Sequence, residues 1–130
     1  MQKSSFQFSN PRIEKIDFRI NETIINSDNL PINMEVKSEM DPENKESITK
    51  LNIIIGELDK NDNNLLLNSI YFNGVISASF KWDEKTKDPE KMLRVNGGAV
   101  LLSYFRPILA TLTMQAGIKP LNLPFVDFTK

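Results

Sequence analysis

Carboxylates are the only strong candidates for acid–base chemistry here, because the 130 residues include no histidine and no cysteine. Thiolate and imidazole catalysis, disulfides, and metal sites built on sulfur or imidazole are excluded together. Among the carboxylates, Asp17, Glu35, Glu39 and Glu57 fall on expected strand positions that face away from the core. A catalytic acid or base needs a concave, apolar setting that moves its pKa. Carboxylates scattered over the polar face of a sheet are instead a solvated surface. The run Asn96-Gly97-Gly98-Ala99 precedes a helix and could offer backbone N–H groups to an anion. It lacks the Lys-Ser/Thr of a P-loop and the third glycine of the dinucleotide fingerprint, so it reads as a hinge between two helices. No enzyme is expected, and no cofactor.

The apolar residues are more informative. Met34, Met40, Met92 and Met114 are flexible, polarizable side chains of the kind that fill cores and also line promiscuous binding surfaces. Trp82 stands at the end of an alternating run beside a charged loop, where its ring either caps the core edge or lines a groove.

These residues must be held by a sheet. Ile16, Phe18 and Ile20 alternate with Asp17, Arg19 and Asn21, the pattern of a strand with one buried face. Phe6 and Phe8 alternate before Asn10-Pro11, and the Ile13–Ile16 spacing breaks phase, so a long first strand with a bend or bulge is expected. After the turn signal at 26–31, Ile32, Met34, Val36 and Met40 share a face opposite Asn33, Glu35, Lys37 and Glu39. A third strand is expected over Ile48 to Leu58, buried on much of both faces, and a fourth over Leu65 to Trp82. Short polar loops between long strands predict an antiparallel meander of four strands.

Asp88-Pro89 is a helix start, with a cap followed by a proline at the first helical position. That short helix is expected to end near Arg94, before the glycine pair. A main helix follows from the spacing of Leu101, Leu102, Phe105, Ile108, Leu109 and Leu112. Pro107 implies either a kink or a start near Ser103, and the later start is favoured. Gly117 is its stop. The order is sheet first and helix last, a single α+β domain spanning 1–130.

Sixteen basic against seventeen acidic residues leave a formal charge of −1, which argues against nucleic-acid binding. No stretch approaches the roughly 18 consecutive apolar residues of a spanning helix, and the start has no signal-like run, so a cytoplasmic protein without membrane insertion is expected.

The segment VNGGAVLLSYFRPILATLTMQAGIKPLNLPFVDF resembles the SecB family of export chaperones. Tyr104, Arg106, Gly117, Leu121, Asn122, Leu123 and Phe128 fall in the register of its Tyr-x-Arg helix, glycine stop and Pro-x-Leu-Asn-Leu-x-Pro-x-x-Phe tail. A weaker similarity covers FQFSNPRIEKIDFRIN and the stretch from Ile70 to Phe80. The resemblance implies an ATP-independent holdase that binds nonnative polypeptides and assembles as a homotetramer, a dimer of dimers. Its client groove would be lined by Met34, Met40, Trp82, Phe105, Leu109, Leu112, Leu121 and Leu123. Members that serve secretion dock the SecA motor through acidic residues, where this chain has Lys15, Arg19 and Ser69, so SecA docking is not expected to carry over, while protein export stays among the roles the resemblance implies. The chain is also expected to lack the family's second C-terminal helix and acidic tail, which points to a short, specialised branch, some of whose members chaperone an antitoxin. The alternative is a dedicated module for one partner such as an antitoxin. Pro120 and Pro124 pre-set the tail to extended geometry, so that it seals the core or forms a groove wall.

Overall fold

The computed structural model describes residues 6–24 and 30–129. Five strands, β1 (Phe6–Phe8), β2 (Arg12–Ile20), β3 (Ile32–Asp41), β4 (Glu46–Ile55) and β5 (Ile70–Trp82), precede one helical arm. The arm begins with α1 (Pro89–Met92), widens into a π-helical turn (Leu93–Gly97) and continues as α2 (Gly98–Gln115). Most of the turn expected at 26–31 lies outside the described residues.

β1 and β2 are two pieces of one strand, since both pair antiparallel with β5, from Phe6 opposite Trp82 to Ile20 opposite Ile70. Asn10-Pro11 interrupts it, as a residue without an N–H must. The register slips between Ile13 and Lys15, the expected bulge. The slip lets Ile13, Ile16, Phe18 and Ile20 share the face of Ile76, Gly74, Phe72 and Ile70, while Lys15, Asp17 and Arg19 take the other.

The meander runs through β3, β4 and β5, and the first strand lies on the far side of β5 rather than beside β3. Alternation specifies which face a strand buries but not which neighbour it takes. In β4 the residues Ser47, Thr49, Leu51, Ile53 and Ile55 are buried, whereas Ile48 on the opposite face is 48% exposed. β4 is thus fully buried on one face only, with Lys50, Asn52 and Ile54 of the other half-buried, because helix and tail pack on the first.

The helix start is as expected: Asp88 Oδ1 accepts a bond from the Lys91 N–H at 3.1 Å, with Pro89 at the first position. The break at Asn96-Gly97-Gly98 is not, and neither is a start near Ser103. Gly97 and Gly98 are helical, with φ of −62° and −59°, and Pro107 sits inside α2. A methyl group on Gly98 would come within 3.1–3.2 Å of Val36 and Phe128, so this glycine serves close packing rather than hinging. Packing of this kind offsets the roughly 1 kcal/mol that a glycine costs a helix. Gly74 does the same in the sheet, where a methyl group would stand 2.5 Å from the Phe105 ring. Phe105 meets Phe72 edge-on there, with centroids 5.6 Å apart.

The core is Leu51, Ile53, Ile55, Phe72, Ile76 and Phe80 from the sheet against Leu93, Leu101, Leu102, Phe105 and Leu109 from the arm. The arm is long and apolar enough to span a membrane by length and composition alone, but these residues place its apolar face on the sheet. α2 ends in a Schellman motif: Gly117 at φ 79° donates to the Met114 carbonyl, and Ile118 to that of Thr113.

Candidate functional site

The polar face of the sheet is a network of surface charges. Asp17 receives two bonds of 3.0 Å from Arg19, whose guanidinium also donates to the Asn63 carbonyl at 2.9 Å. Glu35 pairs with Lys37 at 3.6 Å, and Glu14 with Lys50 at 3.1 Å. Glu39 and Glu57 are exposed. Bonds from Ser77 and Lys50 lower the Glu14 pKa, and Thr129 lowers that of Asp127. Both shifts favour the charged form, the opposite of what a general acid needs at neutral pH. No metal-binding group of three or more acidic, histidine or cysteine side chains occurs among the described residues. Lys15 and Arg19 lie on this face too.

The apolar side divides into two parts. Four of the eight groove residues expected from the sequence are core: Phe105 and Leu109 are fully buried, and Trp82 and Leu123 nearly so. In the single chain they are walls, not an accessible surface. Met34, Met40, Leu112 and Leu121 are half-buried against that core.

The tail explains much of this burial. It retraces α2 from its C-terminus toward its N-terminus. The Leu121 N–H donates to the Thr113 hydroxyl at 2.8 Å, Arg106 Nε donates to the Leu123 carbonyl at 2.9 Å, and Phe128 packs at Gly98. Thr113, itself buried, donates its hydroxyl proton to the Leu109 carbonyl at 2.9 Å. The Phe125 ring stacks on the Arg106 guanidinium at 4.0 Å and is 85% exposed. So Leu123 seals the core while Phe125 faces outward, and the tail fills the side of α2 next to β3.

Among the described residues the side next to β1 and β2 has less filler, Ile118 and Lys119 at the start of the tail approaching it at Ile20. Phe8, Ile13, Ile16 and Ile20 point to the helix-bearing face yet remain 39–42% exposed, and Tyr104 of α2 meets Phe8 edge-on at 6.3 Å. Geometry requires a gap of this kind. Four strands about 4.8 Å apart make a sheet wider than one helix of about 10 Å diameter. With the tail on the β3 side, the first strand is left open. This stripe was not among the residues singled out from the sequence. Its signal was present in the alternation, but alternation marks a residue as facing the core side without saying whether anything covers it.

No family model matches the chain. It is 27% identical over 129 residues to an uncharacterized protein of Methanocaldococcus jannaschii, covering 96% of this chain and 81% of that protein. Its fold is that of the SecB-like chaperone Rv1957 of Mycobacterium tuberculosis, solved in complex with a ChAD peptide from the HigA1 antitoxin. The TM-score is 0.68 over 95% of this chain and 91% of that one, at 14% identity. A Streptococcus agalactiae protein of unknown function matches with a TM-score of 0.51 at 11% identity, over 92% of this chain and 97% of that one.

Proposed function

We propose that this protein is an ATP-independent holdase that binds nonnative polypeptides through apolar surface on the helix-bearing side of its sheet. The observation that carries the reading is the stripe of Phe8, Ile13, Ile16, Ile20 and Tyr104, five large side chains in one strip that are each about two-fifths exposed. Contiguous apolar surface of this kind marks a contact site. Burying it is worth roughly 25 cal/mol per Å² and depends little on direction, so it tolerates many client sequences. A fold shared with a chaperone that holds an antitoxin peptide supports a polypeptide as the ligand class.

A dedicated module for one antitoxin-like partner is the second reading, favoured by the same peptide complex. The two part on promiscuity. An aggregation-prone model protein is diluted from denaturant, without nucleotide, and its light scattering is followed with and without this protein. Suppression at near-stoichiometric amounts is the expected result. No suppression by a folded sample would overturn the holdase reading and leave the single-partner module. Sedimentation of the free protein tests the tetramer we propose alongside it.

A further inference from the structure

The tail is held as a bound peptide is held. Among the described residues no bond between main-chain groups ties 119–129 to the rest of the protein, the last such bond being that from the Ile118 N–H to the Thr113 carbonyl. Two side chains of α2 hold it instead: Thr113 accepts from the Leu121 N–H at 2.8 Å, and Arg106 Nε donates to the Leu123 carbonyl at 2.9 Å. Those main-chain groups are two residues apart, the period with which an extended chain turns its groups to one side. Pro120 and Pro124 fall on the alternate positions, where no N–H is needed. Arg106 is the one charged residue of α2, and the buried Thr113 has its hydroxyl proton on the Leu109 carbonyl. The helix therefore offers one donor and one acceptor, about two turns apart, to whatever chain lies along it. Of 119–129, only Leu123 is buried, Leu121 and Phe128 are half-buried and the rest are exposed. A segment with so few buried contacts belongs to the low-stability end of a fold, which opens well before the core does.

We infer that this flank of α2 is a second polypeptide-binding slot, occupied at rest by the chain's own tail and taken by nonnative chains that displace it. The inference rests on the polypeptide-binding reading and names where an extended, leucine-bearing segment is held. Lifting the tail uncovers the apolar place of Leu123 and leaves Thr113 and Arg106 without their main-chain partners. A buried polar group left unpaired is costly, so the slot favours any extended chain that supplies an N–H, a carbonyl two residues on, and an apolar side chain there. Main-chain recognition of this kind reads little sequence beyond that one apolar residue. An aromatic residue two positions further takes the place of Phe125 over the Arg106 guanidinium. The slot differs from the stripe beside β1 and β2 in being already filled. Tethering gives the tail a high effective concentration, so the slot admits only chains that outcompete it.

The test uses the intact, isotopically labelled protein and an unlabelled synthetic peptide with the sequence of 118–129, followed by amide hydrogen exchange. Ligands ordinarily slow exchange. Here saturating peptide should instead speed exchange of the protein's own Leu121 amide by about tenfold, because it draws the population toward the tail-free state. Amides in the middle of α2 should stay protected. N-methylation of the peptide residue that matches Leu121 should weaken binding a few-fold, since one main-chain bond is lost. Pro124→Gly changes an exposed residue and leaves the slot intact. It should strengthen peptide binding a few-fold, because the free tail then has more entropy to lose on docking. Peptide binding that leaves the Leu121 amide protected, or no binding to either protein, overturns the slot. If unfolded chains are nevertheless kept from aggregating, the holdase reading survives on the open stripe; if they are not, both fall. Isotope-filtered contacts between the tail of one copy and α2 of another would assign the slot to a second copy and also overturn it.

Discussion

The two flanks of α2 began with the same kind of residue and ended differently. On the β3 flank the tail is tied along α2, Phe128 and Val36 close together on Gly98, and Leu123 is only 2% exposed. On the β1–β2 flank, Ile13, Ile16 and Ile20 are as apolar as anything in the core, yet about two-fifths of each remains in contact with solvent. Hydrophobicity is thus a poor guide to which flank is core. The deciding quantity is the width of one helix against four strands, and where the tail is anchored.

That contrast can be broken by truncation on each flank. Phe105→Ala, in the buried centre, should cost about 3–5 kcal/mol in denaturant unfolding, with Leu123→Ala at about 2–5 kcal/mol on the sealed flank. Phe8→Ala combined with Ile16→Ala should cost clearly less stability than Phe105→Ala and yet reduce suppression of aggregation. If the open flank proved as costly to stability as the centre, with suppression intact, the division drawn here would be wrong.

A finer test removes the anchor. Thr113→Val keeps the shape of the side chain but leaves the buried-side Leu121 N–H without its acceptor. An unsatisfied donor costs about 1–3 kcal/mol. Loosening of the tail should show as faster proteolysis at the exposed Phe125, before any change in the sheet.

The smallest effect lies on the polar face, which neither flank touches. Ser77 and Lys50 hold the Glu14 carboxyl below its ordinary pKa. A depressed carboxylate contributes stability that is present above its unfolded-state pKa and lost as pH falls through the folded value. Acid titration of unfolding should therefore show a slight loss below the ordinary glutamate range that Glu14→Gln abolishes, without altering client binding at neutral pH. Glu14 is exposed, so solvent screening keeps the effect small.

Much of this was legible in the residues. The kinked first strand followed from Pro11 and the broken spacing of Ile13 and Ile16, and the cap at Asp88 and stop at Gly117 from local chemistry. The glycine pair was misread because helix propensity is local, whereas Gly97 and Gly98 answer to neighbours distant in sequence, Val36 and Phe80 among them. The burial of several expected groove residues was hidden for a related reason. Phe105, Leu109 and Leu123 have the composition of a binding surface, and their covering in the single chain depends on neighbours distant in sequence.

By itself, then, the sequence determined the strands, their inward faces, the arm's cap at Asp88 and stop at Gly117, and an extended tail, all of which depend on residues within a few positions of one another. Tertiary structure alone decided that the first strand pairs with β5, that the arm continues through its glycines, and that the tail covers one flank while the other stays open. Those outcomes depend on which distant surfaces meet, and on a helix too narrow to cover its sheet.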